Sequence, residues 1–189
     1  MPAEIIRFRL VGDRPLLMHS SRLADPLDPI AIDLKRLTKK RAKVEADFAE
    51  ISKVEWFGGL WLSDGIPCVP SEAIETCFVA AARTRRLGRT ARAGFMVSQP
   101  AALVYDGPRS IDLLWGLPAF RFRFPVQVAG VRTMRTRPRF ADWSAEIEAE
   151  FLPSLIRRDD VIDMLHLAGA LEGLGDWRPR FGRFRIELD

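Results

Sequence analysis

Cysteine and histidine are scarce in this sequence, which holds two of each in 189 residues. Cys68 and Cys77 lie nine positions apart, and His19 and His166 are distant from them and from each other. Because so few ligands at such spacings do not form a disulfide framework or a metal site, we expect no metal and no other cofactor. This cysteine usage is typical of a reducing compartment, so we expect a cytoplasmic protein in which the Cys77 thiol is buried.

Long apolar runs are also missing. None approaches the roughly 20 residues that a membrane-spanning helix needs, and the first residues lack the apolar segment of a secretory signal. The sequence contains no P-loop, no G-x-S-x-G and no H-E-x-x-H motif. We therefore expect a protein that has no membrane partner and is not an enzyme.

Acidic residues are absent from four stretches of the chain, although the net charge is only +4. These stretches are residues 35–43, 83–92, 121–139 and 178–185, and together they hold 21 of the 29 Lys and Arg residues. Charge segregated in this way produces local positive fields that a modest net charge conceals. The pattern indicates an anionic partner, and we expect the stretches to converge on one groove.

The order of predicted elements indicates the fold. Hydrophobic periodicity predicts strands at 4–11, 120–129, 143–151 and 183–188, with helices at 71–86 and 160–171. This βαββαβ order predicts an α+β protein with a ferredoxin-like, or RRM-like, antiparallel sheet, forming a single domain over residues 1–189.

The remaining segments are predicted to be insertions and loops. Residues 13–70 form an insertion with helices at 30–38 and 44–56 and a hairpin turn at Asp64-Gly65. Gly88 is predicted to end the helix that begins at 71, so that the segment GRTARAG is a loop. Residues 130–141 are predicted to be a basic hairpin loop.

The segment GLGDWRPRFGRF has the composition of a phosphate-binding loop. Glycines allow the backbone to approach a ligand and to present N–H groups to an anion, and arginines add bidentate phosphate contacts. The candidate residues are Gly173, Gly175, Gly182, Trp177, Arg178, Arg180 and Arg183. The alternative is a tight helix-to-strand turn with ordinary surface arginines.

Three further groups of basic residues are candidates for nucleic-acid contacts. In the loop 130–141, residues two apart share a side of an extended chain, so Arg135, Arg137 and Arg139 are expected to line one edge, next to Arg132. The other two groups are Arg89 and Arg92, and Lys39, Lys40 and Arg41. The alternative for each group is a solvated charged surface.

The last forty residues give the most specific family resemblance. A helix running into GLGDWRPRFGRFRI resembles the C-terminal glycine-rich loop of the RAMP superfamily of CRISPR-associated proteins, and IPCVPSEAIETCFVAAAR resembles the element that opens the first helix of those proteins. The likeness implies RRM-like domains, and the loop 130–141 falls where the backbone subunit of class 1 effector complexes carries a thumb hairpin. The motifs PLLMH…RLADPLDP, TKKR and GDWRPRFGRF also resemble a family of phage and prophage proteins, which implies no activity.

The same resemblance suggests an enzymatic alternative. In RAMP ribonucleases a His or Asp in a loop after the first strand can cleave RNA, and His19 and Asp25 occupy a comparable loop. The alternative is a loop whose polar side chains bond to its own backbone.

Three functional hypotheses follow. The first is a non-catalytic protein that binds single-stranded RNA or DNA and assembles into a homo-oligomer along the strand, in a phage or prophage context. The second is a structural protein whose basic loops contact an acidic protein partner, and the third is a RAMP-type ribonuclease.

Overall fold

A computed structural model describes residues 2–128 and 130–188 and shows an α+β protein with antiparallel sheets. The strands are β1 Glu4–Gly12, β2 Leu16–Leu17, β3 Leu62–Ser63, β4 Ile66–Val69, β5 Phe95–Val97, β6 Ala101–Ala102, β7 Arg121–Val128, β8 Val131–Phe140, β9 Ser144–Phe151 and β10 Phe184–Leu188. The helices are α1 Pro29–Lys39, α2 Glu45–Gly59, α3 Ser71–Thr84, α4 Gly88–Gly94, α5 Ile111–Gly116 and α6 Arg158–Leu167. None of the helices in these described residues is long and apolar enough to cross a membrane.

The chain divides into two compact units. The sheet unit comprises Met1–Leu16, Leu62–Asp106 and Ala141–Asp189, and the hairpin unit comprises Leu17–Trp61 and Gly107–Phe140. The predicted insertion 13–70 is therefore shared between them, because its residues 17–61 belong to the hairpin unit and the rest to the sheet unit.

The sheet unit contains a four-stranded antiparallel sheet with the order β10-β1-β9-β5. Strand β1 shows the alternation that the sequence predicts: Ile6, Phe8 and Leu10 are buried, whereas Arg7 and Arg9 are exposed. Phe8 lies opposite Ile147 of β9 and Leu188 of β10, which fixes the register. The short β3–β4 hairpin, with Asp64 and Gly65 at its turn, matches the prediction.

Helix α3 packs on the buried side of the sheet. Phe78 stacks on Phe95 of β5 with ring centroids 4.0 Å apart. Cys77 is buried as predicted, its thiol donates to the carbonyl oxygens of Ala168 and Gly173, and burial raises its pKa to about 12.

The prediction that residues 120–129 form a strand of this sheet is wrong. Phe95–Val97 occupies the position beside β9, whereas β7 pairs along its length with β8. The prediction of a loop at 130–141 is also wrong, because residues 131–138 form a strand that pairs with β7. Thr133 and Thr136 are β-branched and suit an extended chain, so the segment continues as a strand that pairs with β7.

The prediction that Gly88 ends helix α3 is also wrong. Arg86 takes the left-handed conformation at φ 62°, and the N–H of Leu87 donates to the carbonyl oxygen of Ala82 at 2.9 Å. This is a Schellman motif with arginine in the place that glycine usually fills. Gly88 instead begins α4, so the segment GRTARAG is helical.

In the hairpin unit, strands β7 and β8 pair with each other and α2 packs against β8. The indole N–H of Trp56 donates to the carbonyl oxygen of Phe120 at 2.8 Å, and the hydroxyls of Ser52 and Thr136 hydrogen-bond at 2.7 Å. Helices α1 and α2 confirm the helices predicted at 30–38 and 44–56, but α1 buries none of its residues.

Candidate nucleic-acid interface

A basic cleft of about 630 Å³ lies in the hairpin unit, among α2, strands β7 and β8, and the segment that joins α1 to α2. Five cationic side chains line it: Arg41, Lys43, Arg123, Arg132 and Arg135. Two of the acid-free stretches, 35–43 and 121–139, thus meet in one concave surface. We refer to this surface as the basic cleft.

The α1–α2 connection is held in place by Asp47. Its carboxylate accepts from the Lys40 ammonium at 2.8 Å and from the backbone N–H of Val44 at 2.8 Å. The hydrogen bond from Lys40 is the main reason that the pKa of Asp47 lies below its usual value, with the Val44 bond next. Lys43 donates to the carbonyl oxygen of Lys40 at 2.6 Å. These bonds position Arg41 and Lys43 on the wall of the cleft.

A buried ion pair lies at the floor of the basic cleft. Glu55 is 2% exposed, and its carboxylate accepts from Arg135 Nη1 at 2.6 Å and from the backbone N–H of Thr136 at 2.9 Å. Glu55 is the only acidic residue among the described residues that line the cleft. Since its charge is balanced by Arg135, the other four cations determine the sign of the field there.

Two apolar side chains stand among these cations. Phe48 on α2 is 49% exposed and Met134 on β8 is 43% exposed, and both line the basic cleft. An aromatic ring beside guanidinium groups provides a stacking surface next to an anion-binding surface.

Only some of the basic residues that the sequence predicted as contacts in this unit line the basic cleft. Arg41, Arg132 and Arg135 line the basic cleft. Lys40 is paired with Asp47, and Lys39 is exposed at the end of α1. Arg123 and Lys43 line the cleft although they were not among the predicted site residues. Arg123 lies opposite Thr136, so its place follows once 131–140 is recognised as a strand.

The expected row of arginines on β8 does not form an open edge. Arg135 bonds to Glu55, Arg137 is buried at 6% exposure, and Arg139 is half-buried. Alternation along the strand puts these residues on one side as predicted, but that side is largely covered.

The glycine-rich segment in the sheet unit uses its backbone donors internally. The N–H groups of Gly173, Leu174 and Gly182 donate to the carbonyl oxygens of Ala168, Gly182 and Pro15, respectively. The prediction that Gly173 and Gly182 present N–H groups to an anion is therefore wrong. All three glycines, including Gly175, have positive φ, so glycine is required there by the turn itself.

The aromatic and basic residues of that segment remain at the surface. Trp177 is 43% exposed, its ring lies 5.3 Å from the Arg180 guanidinium, and Phe181 packs at 5.5 Å. Arg178 is exposed, and Arg183 is half-buried.

Arg89 and Arg92 are exposed on α4. Arg92 lines a cavity of about 260 Å³ together with Glu75 and Glu150. Two carboxylates beside one guanidinium make this cavity a poor site for an anion.

The exposed face of the four-stranded sheet is charge-balanced. Arg7 pairs with Glu148 at 2.8 Å, and Arg9 pairs with Glu146 at 3.4 Å. Because carboxylates repel phosphate and already occupy these arginines, this face does not resemble the basic cleft.

The two candidate ribonuclease residues, His19 and Asp25, line a second cavity of about 460 Å³ in the hairpin unit. Asp25 Oδ1 accepts from the backbone N–H of Leu27 at 2.9 Å, which is the loop-stabilising role that the sequence leaves open. Within residues 2–128 and 130–188, no group of three His, Cys, Asp or Glu side chains could hold a metal ion.

Neither the known protein-family models nor the curated proteins include a match to this chain.

Proposed function

We propose that this protein binds single-stranded nucleic acid in the basic cleft. The observation that carries the proposal is the convergence of Arg41, Lys43, Arg123 and Arg132 on one concave surface whose single acid is already paired with Arg135. Arginine and lysine side chains that face one groove attract a phosphate backbone. Contacts of this kind fix the strand in place and carry no base code themselves.

A single strand suits the cleft better than a duplex. Phe48 and Met134 are half-exposed between the cations, and unpaired bases can stack on such side chains while the phosphates follow the charges. The bases of a duplex are stacked on one another, so they do not offer their faces to the protein.

We further propose that the protein has a ferredoxin-like fold and is similar to the RAMP superfamily. Helix α3 is one of the elements in the long connection from β1 to β5, helix α6 lies between β9 and β10, and the sheet order is β10-β1-β9-β5. An antiparallel sheet that has β1 and β9 at its centre, with a helix in each of these two connections, supports the proposal of a ferredoxin-like fold. We also propose that copies assemble side by side along a strand, in a phage or prophage context.

The binding proposal is tested by fluorescence anisotropy with a labelled twelve-nucleotide single strand, as DNA and as RNA. Replacing Arg123 and Arg132 with Ala in one variant removes two charged contacts of about 1 kcal/mol or more each. The Kd for the preferred strand should then rise about 10- to 100-fold.

The matched control is the double variant Lys53→Ala with Arg109→Ala. Both side chains are exposed in the same unit and neither lines the basic cleft, so the control loses the same charge elsewhere. Equal weakening in both variants would mean that net charge, rather than the cleft, binds the strand. An unmodified protein that binds neither strand would favour the acidic protein partner instead.

A further inference from the structure

The cavity beside the basic cleft has a different chemistry. It shares Thr38, Glu55 and Arg135 with the cleft, so the two adjoin at the buried ion pair. Its lining combines the apolar residues Leu23, Ala31, Ile32 and Leu34 with the charged residues Asp25, Lys35 and Arg137. We refer to it as the apolar cavity.

Helix α1 gives the apolar cavity an incompletely covered wall. Of its apolar residues that line the cavity, Ala31 and Leu34 are only half-buried, and Ile32 is 52% exposed. The start of the helix is nevertheless firm, because the Asp28 carboxylate accepts from the N–H of Ile30 at 2.8 Å and pairs with Arg22 at 2.9 Å. A well-capped helix with an uncovered apolar side is able to receive an apolar group.

We infer that the apolar cavity holds a nucleobase of the strand whose phosphates lie in the basic cleft, an inference that rests on the proposed function. A base has apolar faces, which Ile32 and its neighbours can cover, and a polar edge with amino groups. The Asp25 carboxylate, which lines the cavity and is exposed, is an acceptor for such an amino group. Arg135 lines both the cavity and the cleft, so it lies where the attached phosphate would pass between them.

The size of the cavity agrees with this occupant. Its volume of about 460 Å³ falls within the range of roughly 300 to 1,000 Å³ typical of small-molecule sites. The base would cover Ile32 and hold α1 against it. Binding should therefore reduce the opening of a helix that is otherwise only partly packed.

The test compares a twelve-nucleotide strand with a strand of the same length in which every base is absent and only the sugar-phosphate backbone remains. Both are titrated against the intact protein, the variant Ile32→Ala and the control Leu27→Ala, whose side chain is 82% exposed and lies outside the cavity lining. Ala is a good helix former, so Ile32→Ala should preserve α1. Since each stacked base contributes about 1–3 kcal/mol, loss of part of its contact surface should raise the Kd for the base-bearing strand about fivefold.

We expect Ile32→Ala to leave the Kd for the abasic strand unchanged and Leu27→Ala to affect neither. Hydrogen exchange should show slower exchange at residues 29–39 with the base-bearing strand and no change with the abasic strand. The inference fails if the intact protein binds both strands equally, or if Ile32→Ala weakens both alike. If the intact protein binds neither strand, the proposed function fails as well, so the two failures can be told apart.

Discussion

At the scale of single residues, the least ordinary feature is a carboxylate buried beneath a cationic surface. Glu55 is tolerated there because Arg135 and the backbone of Thr136 both donate to it. The pair is unequal in exposure, since the Arg135 side chain is 25% exposed and that of Glu55 is 2% exposed. Removing the buried partner should therefore cost more than the loss of a surface ion pair.

The variant Glu55→Gln keeps the volume of the side chain and removes its charge. We expect the free energy of unfolding to fall by about 2 kcal/mol, which is below the usual range for a broken buried pair because Arg135 retains contact with solvent. Urea denaturation followed by tryptophan fluorescence measures this change. Glu50→Gln on the exposed side of α2 is the control and should change stability by less than about 0.5 kcal/mol. Equal effects in the two variants would show that the ion pair contributes nothing.

At the scale of elements, the segments that the sequence predicted are those whose own hydrophobic periodicity is clear. The alternation of Ile6, Phe8 and Leu10 predicted β1, and helices α1 and α2 begin and end within a few residues of their predicted bounds. The prediction for residues 131–140 failed because strand pairing, which the periodicity of a segment does not contain, decides the conformation there. Residues 130–141 were predicted to be a basic hairpin loop, yet residues 131–138 pair with every residue of β7.

The candidate site was predictable from the sequence only in part. Arg41, Arg132 and Arg135 were identified from charge alone, because an acid-free run marks a positive surface wherever it folds. Arg123 could not be selected without the β7–β8 register. The burial of Arg137 likewise depends on packing that a strand pattern does not contain.

The glycine-rich turn before β10 provides a prediction at the same scale. A Cβ at Gly182 would lie 1.8 Å from the carbonyl oxygen of Leu174, at a φ of +71°. Gly65 has a similar φ of +77° but open space around it. Gly65→Ala should therefore cost only the conformational penalty of about 1–2 kcal/mol, whereas Gly182→Ala must also displace backbone and should cost at least about 3 kcal/mol.

Thermal or urea unfolding without any oligonucleotide compares the two glycine variants. A larger loss for Gly182→Ala in the absence of ligand would show that this glycine serves the packing of the turn. Equal losses would contradict that role and would return Gly182 to the set of ligand-binding candidates.

At the scale of the whole molecule, the arrangement of charge matters more than its total. The net charge is +4, and the two units distribute it differently. On the exposed face of the four-stranded sheet, Arg7 and Arg9 are matched by Glu148 and Glu146. In the basic cleft, four cations remain after Glu55 has paired with Arg135. The cleft should therefore supply most of the phosphate contacts.

The dependence of binding on salt tests this distribution. Each phosphate contact with a single strand contributes about 0.7 to the slope of log affinity against log salt. Four contacts in the basic cleft therefore predict a slope of about −2.8, and the variant in which Arg123 and Arg132 become Ala should reduce its magnitude by about 1.4. The variant in which Arg7 and Arg9 become Ala should keep the original slope, because those side chains are already paired with carboxylates. Anisotropy titrations between 50 and 300 mM salt measure all three slopes. A reduced slope in the Arg7 and Arg9 variant, with no change in the cleft variant, would mean that the strand crosses the sheet and not the cleft.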